Sequence, residues 1–129
     1  MKESIHCTYT DDSQVQIQID GVATLLHTAH NDKKQFGTPG DMLVGALGAC
    51  TLTMMSVVAN KYGENLSGAK IDLTPTFGPN LSGLKSVHLH IVFPPELSTE
   101  TRSKCLAAAE ICPVHKSLNP NIRFTITSV

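Results

Sequence analysis

Aromatic residues and charge are both scarce in this sequence. Of its 129 residues none is tryptophan, two are tyrosine and four are phenylalanine, so few rings are present on which bases or sugars could stack. Ten Lys and Arg stand against eleven Asp and Glu, which gives a net charge of −1, and no basic run could follow a phosphate backbone. We therefore expect no nucleic-acid partner.

Targeting and membrane segments are also not evident. No apolar run approaches the roughly 18 uninterrupted residues of a membrane-spanning helix, and the N-terminus has no apolar signal-peptide region. We expect a cytoplasmic protein without a membrane partner. At 41% hydrophobic residues the chain can bury a core as one domain over residues 1–129, so its four cysteines need not form a disulfide framework.

Hydrophobic patterning predicts three strands, over residues 5–9, 15–19 and 22–27, followed by one long helix over residues 38–63. Thr38 and Asp41 form a capping-box pattern at its start, and Gly63 suits its end. The helix is apolar nearly all round, so it must be buried on most sides. Its small residues permit close approach either of the sheet or of a second helix, and we predict a homodimer in which a second subunit covers it.

The second half of the sequence predicts two strands, a helix and a final strand. Strands are expected over residues 70–77 and 87–93, a helix that begins at Ser98 or Thr99, and a last strand over 122–127. This order is typical of an α+β fold in which helices lie against antiparallel sheets.

Two of the four cysteines stand in informative positions. Cys112 precedes Pro113, which suits the first position of a new helical turn, so Cys112 becomes an N-cap whose thiolate is favoured by free N–H groups. Cys50 lies in the middle of the long helix, where the residues alone indicate a small buried hydrophobe.

Two segments resemble the signatures of the OsmC/Ohr family, the osmotically inducible and organic hydroperoxide resistance proteins. The first is TPGDMLVGALGAC, which ends at Cys50, and the second is AAAEICPVHKSL, an alanine-rich helix that ends in Cys-Pro. The resemblance extends over nearly the whole chain. It implies an intertwined homodimer with antiparallel sheets around two long buried helices, and active sites at the subunit interface.

The resemblance also implies a chemistry, the reduction of hydroperoxides by two thiols in a bacterial cytoplasm. Cys50 would be the peroxidatic thiolate that becomes a sulfenic acid, and Cys112 would resolve it as a disulfide. An external dithiol would then reduce the disulfide. Neither a metal nor a cofactor is expected.

This chain departs from the better-known family members at two positions. Those members carry an arginine in the N-terminal strands and a glutamate directly after the motif proline, whereas no arginine precedes Pro39 here and the proline is followed by Gly40 and Asp41. Asp41 either stands in for the acid as a catalytic residue or serves only the capping box. The alternative function is therefore a catalytically weak protein that binds a small apolar ligand or senses oxidants at the interface.

For the remaining histidines and cysteines, the sequence indicates surface or structural positions more than functional ones. Cys112 and His115 have the spacing of metal ligands, but no second pair accompanies them. His115 either donates to the Cys112 thiolate or covers the helix surface. An exposed pair is expected for His88 and His90, and a structural role for Cys7 and Cys105. In the region where the better-known members carry the arginine, the only candidates to replace it are His27, His30, Lys33 and Lys34. None of these side chains can form the two parallel hydrogen bonds of a planar guanidinium group.

Overall fold

The N-terminal part forms a three-stranded antiparallel sheet. The structure, a computed structural model, describes residues 4–10, 14–19, 24–28 and 38–129. The chain divides into two compact units, Met1–Leu43 and Val44–Val129. In the first unit β1 (Ile5–Thr10), β2 (Gln14–Ile19) and β3 (Thr24–Thr28) pair in that order, as the alternating pattern predicts. Residues 22 and 23 of the third predicted strand, together with His30, Lys33 and Lys34, lie outside the described residues.

The long helix α1 (Pro39–Lys61) begins and ends as its sequence predicts. The Asp41 N–H donates to Thr38 Oγ1 at 3.2 Å and the Thr38 N–H donates to Asp41 Oδ2 at 3.1 Å, which is the capping box. At the other end Gly63 has φ of +73°, and the Glu64 N–H donates to the Ala59 carbonyl at 2.9 Å. This left-handed glycine closes the helix.

The C-terminal unit contains a second three-stranded sheet and two shorter helices. Its strands are β4 (Lys70–Phe77), β5 (Leu84–Val92) and β6 (Arg123–Ser128), and α2 (Thr99–Ala109) and α3 (Pro113–Ser117) lie between β5 and β6 in the chain. The α+β class is confirmed. One detail was wrong: β4 and β5 are antiparallel, but β6 runs parallel to β5. The two helices between them form a crossover long enough to make a parallel pair.

One face of α1 packs on this second sheet. Met55 and Ala59 lie in a cluster with Ile91 of β5, and Leu47 lies in a second cluster with Leu89. A Cβ atom built on Gly48 would lie 2.7 Å from Leu73 Cδ1, so this glycine permits the close approach of helix and sheet.

Among the described residues, the opposite side of α1 is exposed. Val57 is 58% exposed, and a Cβ atom at Gly45 would meet nothing within 4 Å. The expectation that the helix is buried on most sides is therefore not met in the part of the chain that the structure describes. By its length and its mean hydropathy over an 18-residue window, α1 is also long and apolar enough to cross a membrane. That is weak evidence, because the core helix of a soluble protein passes the same test.

A carboxylate ties the end of α1 to the start of α2. Ser98 caps α2, accepting from the Thr101 N–H at 3.2 Å. Glu64 accepts from the Ser98 N–H and hydroxyl, both at 2.8 Å, and from the Thr101 hydroxyl. These hydrogen bonds hold the pKa of Glu64 below its usual range, and the bond from Thr101 has the largest effect.

Candidate active site: a pair of cysteines

The structure brings Cys50 and Cys112 together. Cys50 lies on α1 and is half-buried, whereas Cys112 at the start of α3 has 0% exposure. Both pack in one apolar cluster built around Val44, Leu47 and Val87. Two thiols that are far apart in the sequence thus share one site.

Local sequence explains the position of Cys112. Helix α2 ends at Ala109, and Pro113 begins α3 with Cys112 as its N-cap. The Lys116 N–H donates to the Cys112 carbonyl at 3.0 Å and closes the first turn. The Cys112 sulfur makes no regular capping hydrogen bond, but the N–H groups of Val114 and His115 are near enough to affect its ionisation.

The two thiols ionise differently. For Cys112, burial by itself raises the pKa, but hydrogen bonding to the Cys50 thiol, the His115 and Val114 N–H groups and the Thr51 hydroxyl outweighs it, so the pKa is lowered. Burial and the neighbouring Cys112 sulfur raise the pKa of Cys50. The first negative charge of the pair therefore lies on Cys112, with the remaining proton on Cys50.

Thr51 is a residue of this site that the sequence analysis missed. Its side chain is 1% exposed, and its hydroxyl donates to the Leu47 carbonyl at 2.8 Å. A hydroxyl directly after the motif cysteine, within an otherwise apolar stretch, is the signal that could have identified it.

Asp41 is accounted for by the capping box, in which its carboxylate accepts from Thr38. A part for Asp41 in catalysis remains a prediction. Two open clefts of about 350 Å³ and 380 Å³ lie elsewhere on the C-terminal unit, beside Asn65 and Ser67, and neither is lined by the two thiols.

Three histidines of the C-terminal unit lie close to neighbouring side chains. The His115 ring lies 4.1 Å from the Phe124 ring between centroids, tilted by 50°. On the outer face of the second sheet, His88 Nδ1 lies 2.6 Å from Thr125 Oγ1, and His90 Nδ1 lies 2.7 Å from Thr127 Oγ1. Within the described ranges no group of three or more His, Cys, Asp or Glu residues could hold a metal ion.

The other two cysteines lie apart from the pair. Cys105 is buried in the other core cluster, where its thiol donates to the Met55 carbonyl at 3.5 Å. Burial, together with the negative charge of Glu64, raises the pKa of Cys105. Cys7 is exposed on β1. All four cysteines are free thiols.

Comparison with known proteins gives a family and several similar folds. The model of the family described as OsmC-like protein matches residues 30–127. An osmotic stress induced and detoxification response protein from Psychrobacter arcticus 273-4 has 23% identity and a TM-score of 0.88, covering 97% of this chain and 94% of that one.

Two further structures extend the comparison. An OsmC-like protein from Mycoplasma pneumoniae has 18% identity and a TM-score of 0.84, with 100% of this chain and 96% of that one covered. An organic hydroperoxide resistance protein OsmC from Legionella pneumophila also has 18% identity, with a TM-score of 0.69 and coverage of 97% and 96%. No curated protein matches the sequence.

Proposed function

This chain belongs to the OsmC-like protein family, and we propose that it reduces organic hydroperoxides with Cys50 and Cys112. The observation that carries the proposal is the shared buried cluster of these two thiols, in which one pKa is lowered and the other raised. The name of the similarly folded Legionella protein, an organic hydroperoxide resistance protein, supports the same substrate class.

Cys50 is the attacking residue in this proposal, because it is partly exposed while Cys112 is fully buried. Cys112, whose pKa is lowered, is the first thiol of the pair to ionise, and Cys50, whose pKa is raised, then keeps its proton. Transfer of that proton to Cys112 leaves a thiolate on Cys50, the form of cysteine that acts as a nucleophile. Cys112 thus serves first as the base for Cys50.

The reaction then runs in two steps. The Cys50 thiolate attacks one peroxide oxygen, the O–O bond breaks, and the alkoxide leaves as the alcohol after taking the proton held by Cys112. The Cys112 thiolate then attacks the Cys50 sulfenic acid, which forms the disulfide and releases hydroxide. Two electrons pass from the thiols to the peroxide, and an external dithiol returns them by thiol–disulfide exchange.

A second copy of the chain is the proposed partner. Among the described residues, Val57 is 58% exposed on the side of α1 that faces away from the second sheet, and a Cβ atom at Gly45 would meet nothing within 4 Å. In a two-fold symmetric dimer, the commonest kind of oligomer, the same surface of each chain meets its copy, so this face of α1 would be buried against α1 of the second chain. Cytoplasmic location and bacterial origin remain predictions.

Single-cysteine variants test the proposed chemistry. Cys50→Ser should abolish peroxide consumption, and Cys112→Ser, which lacks the base, should allow one slower turnover that ends in a sulfenic acid on Cys50. Cys7→Ser, which changes an exposed thiol on β1, is the matched control and should leave consumption unchanged. If neither Cys50→Ser nor Cys112→Ser alters peroxide consumption, the assignment of roles is wrong.

A second candidate function is ligand binding or oxidant sensing without efficient turnover. The raised pKa of Cys50 favours it, because a protonated thiol attacks slowly. A small apolar ligand would then raise the melting temperature by mass action even in the Cys50→Ser protein. A broad thermal-shift screen on that variant that finds no stabilising ligand would argue against this function.

A further inference from the structure

Two histidines lie side by side on the outer face of the second sheet. His88 and His90 are two residues apart on β5, so both side chains lie on the same face of the sheet. Val87 and Leu89, which alternate with them, are buried in the core cluster that contains residues of α1 and the two thiols. The two histidines therefore face away from α1 and from the cysteine pair.

Nitrogens of the two imidazole rings converge on one oxygen atom. His88 Nε2 lies 3.1 Å from Thr127 Oγ1, and His90 Nδ1 lies 2.7 Å from the same atom. A threonine hydroxyl has one proton, so it can donate to only one of these two nitrogens at a time. A cation at this point would instead accept a lone pair from each ring.

The other nitrogen of the His88 ring has a partner of its own. His88 Nδ1 lies 2.6 Å from Thr125 Oγ1. When Nδ1 carries the ring proton and donates it to Thr125, the lone pair is on Nε2 and faces Thr127. Hydrogen bonds of this kind fix the tautomer and the orientation of histidines that bind metal ions. Thr125 therefore holds His88 in a form that is able to bind a metal.

The charged side chains on this face bear both signs. Asp72 of β4 pairs with His90, so its carboxylate lies on the same face as the ring. Lys70 and Arg123 lie one row further out, at opposite ends of the face. In the part of the chain that the structure describes, Asp72 does not form a three-residue metal-binding group with the histidines. The two imidazoles are therefore the protein ligands, and water must complete the coordination.

We propose that His88 and His90 bind one Zn²⁺ ion, through Nε2 of the first ring and Nδ1 of the second. Imidazole nitrogen is a preferred ligand of zinc, with bonds of about 2.0–2.1 Å. Thr127 is exposed, so its side chain can turn aside as the two rings close on the ion. The site does not depend on the proposed function, because it lies on the face of the sheet opposite to the thiols.

Ring-nitrogen NMR of the full-length protein tests the proposal. In ¹⁵N-labelled reduced protein, the chemical shifts of the ring nitrogens identify the tautomer of each histidine and the nitrogen that binds zinc. A metal buffer sets the free Zn²⁺ concentration, so zinc bound by cysteines does not change the amount available. His88 Nε2 and His90 Nδ1 should shift together, with one midpoint concentration.

Three variants give the expected size of the effect. His90→Gln should raise the midpoint measured at His88 by about tenfold or more, because one of two linked ligands is lost. Thr125→Val should raise it by about 10- to 100-fold, because the hydrogen bond that orients His88 is lost. Thr76→Val changes an exposed threonine on the same face of β4 and should leave the midpoint unchanged.

Shifts at one ring only, or at neither, would overturn the proposal. The same holds for a midpoint that is unchanged in His90→Gln, or one that Thr76→Val raises as much as Thr125→Val does. If His90→Gln does not fold, His88→Gln carries the same prediction for the midpoint measured at His90. Zinc bound only by the cysteines would leave the two rings unshifted and would refute the site.

Discussion

Surroundings rather than residue type distinguish the four cysteines. Cys105 and Cys112 are both fully buried, yet the pKa of Cys105 is raised by burial while that of Cys112 is lowered because several donors outweigh burial. The sequence marks Cys112 through Pro113, since a proline at the first helical position leaves the preceding residue as the N-cap. It does not show which donors surround the sulfur, because Thr51 reaches Cys112 only through tertiary packing.

Core packing at single residues gives a stability prediction. Met55 has 0% exposure in the cluster between α1 and β5, so Met55→Ala should lower the free energy of unfolding by about 2–5 kcal/mol. The control is Leu81, which is fully exposed in the β4–β5 turn. Leu81→Ala should change the free energy of unfolding by less than about 0.5 kcal/mol. Urea denaturation measures both, and equal losses would contradict the assigned core.

At the scale of elements, the carboxylate of Glu64 joins the end of α1 to the start of α2. Because its pKa is lowered in the folded protein, its contribution to stability is present above the unfolded pKa, near 4.5, and is lost as pH falls through the folded pKa. Glu64→Gln should therefore lower the melting temperature at pH 7, and the difference from the unmodified protein should shrink toward pH 3.

The neighbouring Glu96 supplies the control for that measurement. Glu96 is exposed, so Glu96→Gln should leave the melting temperature nearly unchanged at both pH values. A difference between Glu64→Gln and the unmodified protein that stays constant from pH 7 to pH 3 would show that the carboxylate charge is not what ties the two helices together.

The elements differ in how far sequence alone determines them. The start of α1 at Thr38, its end at Gly63 and the start of α2 at Ser98 are local signals, and each is confirmed by a hydrogen bond or a left-handed backbone. The direction of β6 is not local. Its pairing with β5 depends on the path of α2 and α3, so residue patterns predicted the strand but not its parallel orientation.

At the scale of the whole molecule, the uncovered side of α1 leads to a prediction about assembly. Val57 is 58% exposed in the single chain, and in the proposed homodimer it lies in the interface. Val57→Asp should shift the protein toward monomer, because an unpaired charge in an apolar interface is costly. Leu81→Asp, an equally large change at an exposed turn, should not.

Light scattering coupled to size-exclusion chromatography measures the molar mass of the unmodified protein and of both variants over a range of concentrations. The unmodified protein and Leu81→Asp should have the mass of two chains, twice 13.9 kDa, and Val57→Asp should approach one. A monomer in all three proteins would contradict the homodimer, and a dimer unaffected by Val57→Asp would place its interface elsewhere.

The most direct test of the proposed chemistry is stopped-flow thiol loss on the fully reduced protein. The protein is mixed with cumene hydroperoxide and, separately, with hydrogen peroxide, and the product is mapped by mass spectrometry. The account predicts rapid formation of a Cys50–Cys112 disulfide, faster with the organic peroxide. Oxidation of Cys50 no faster than that of a free thiol in solution would contradict it, and the site would then be one for binding or sensing.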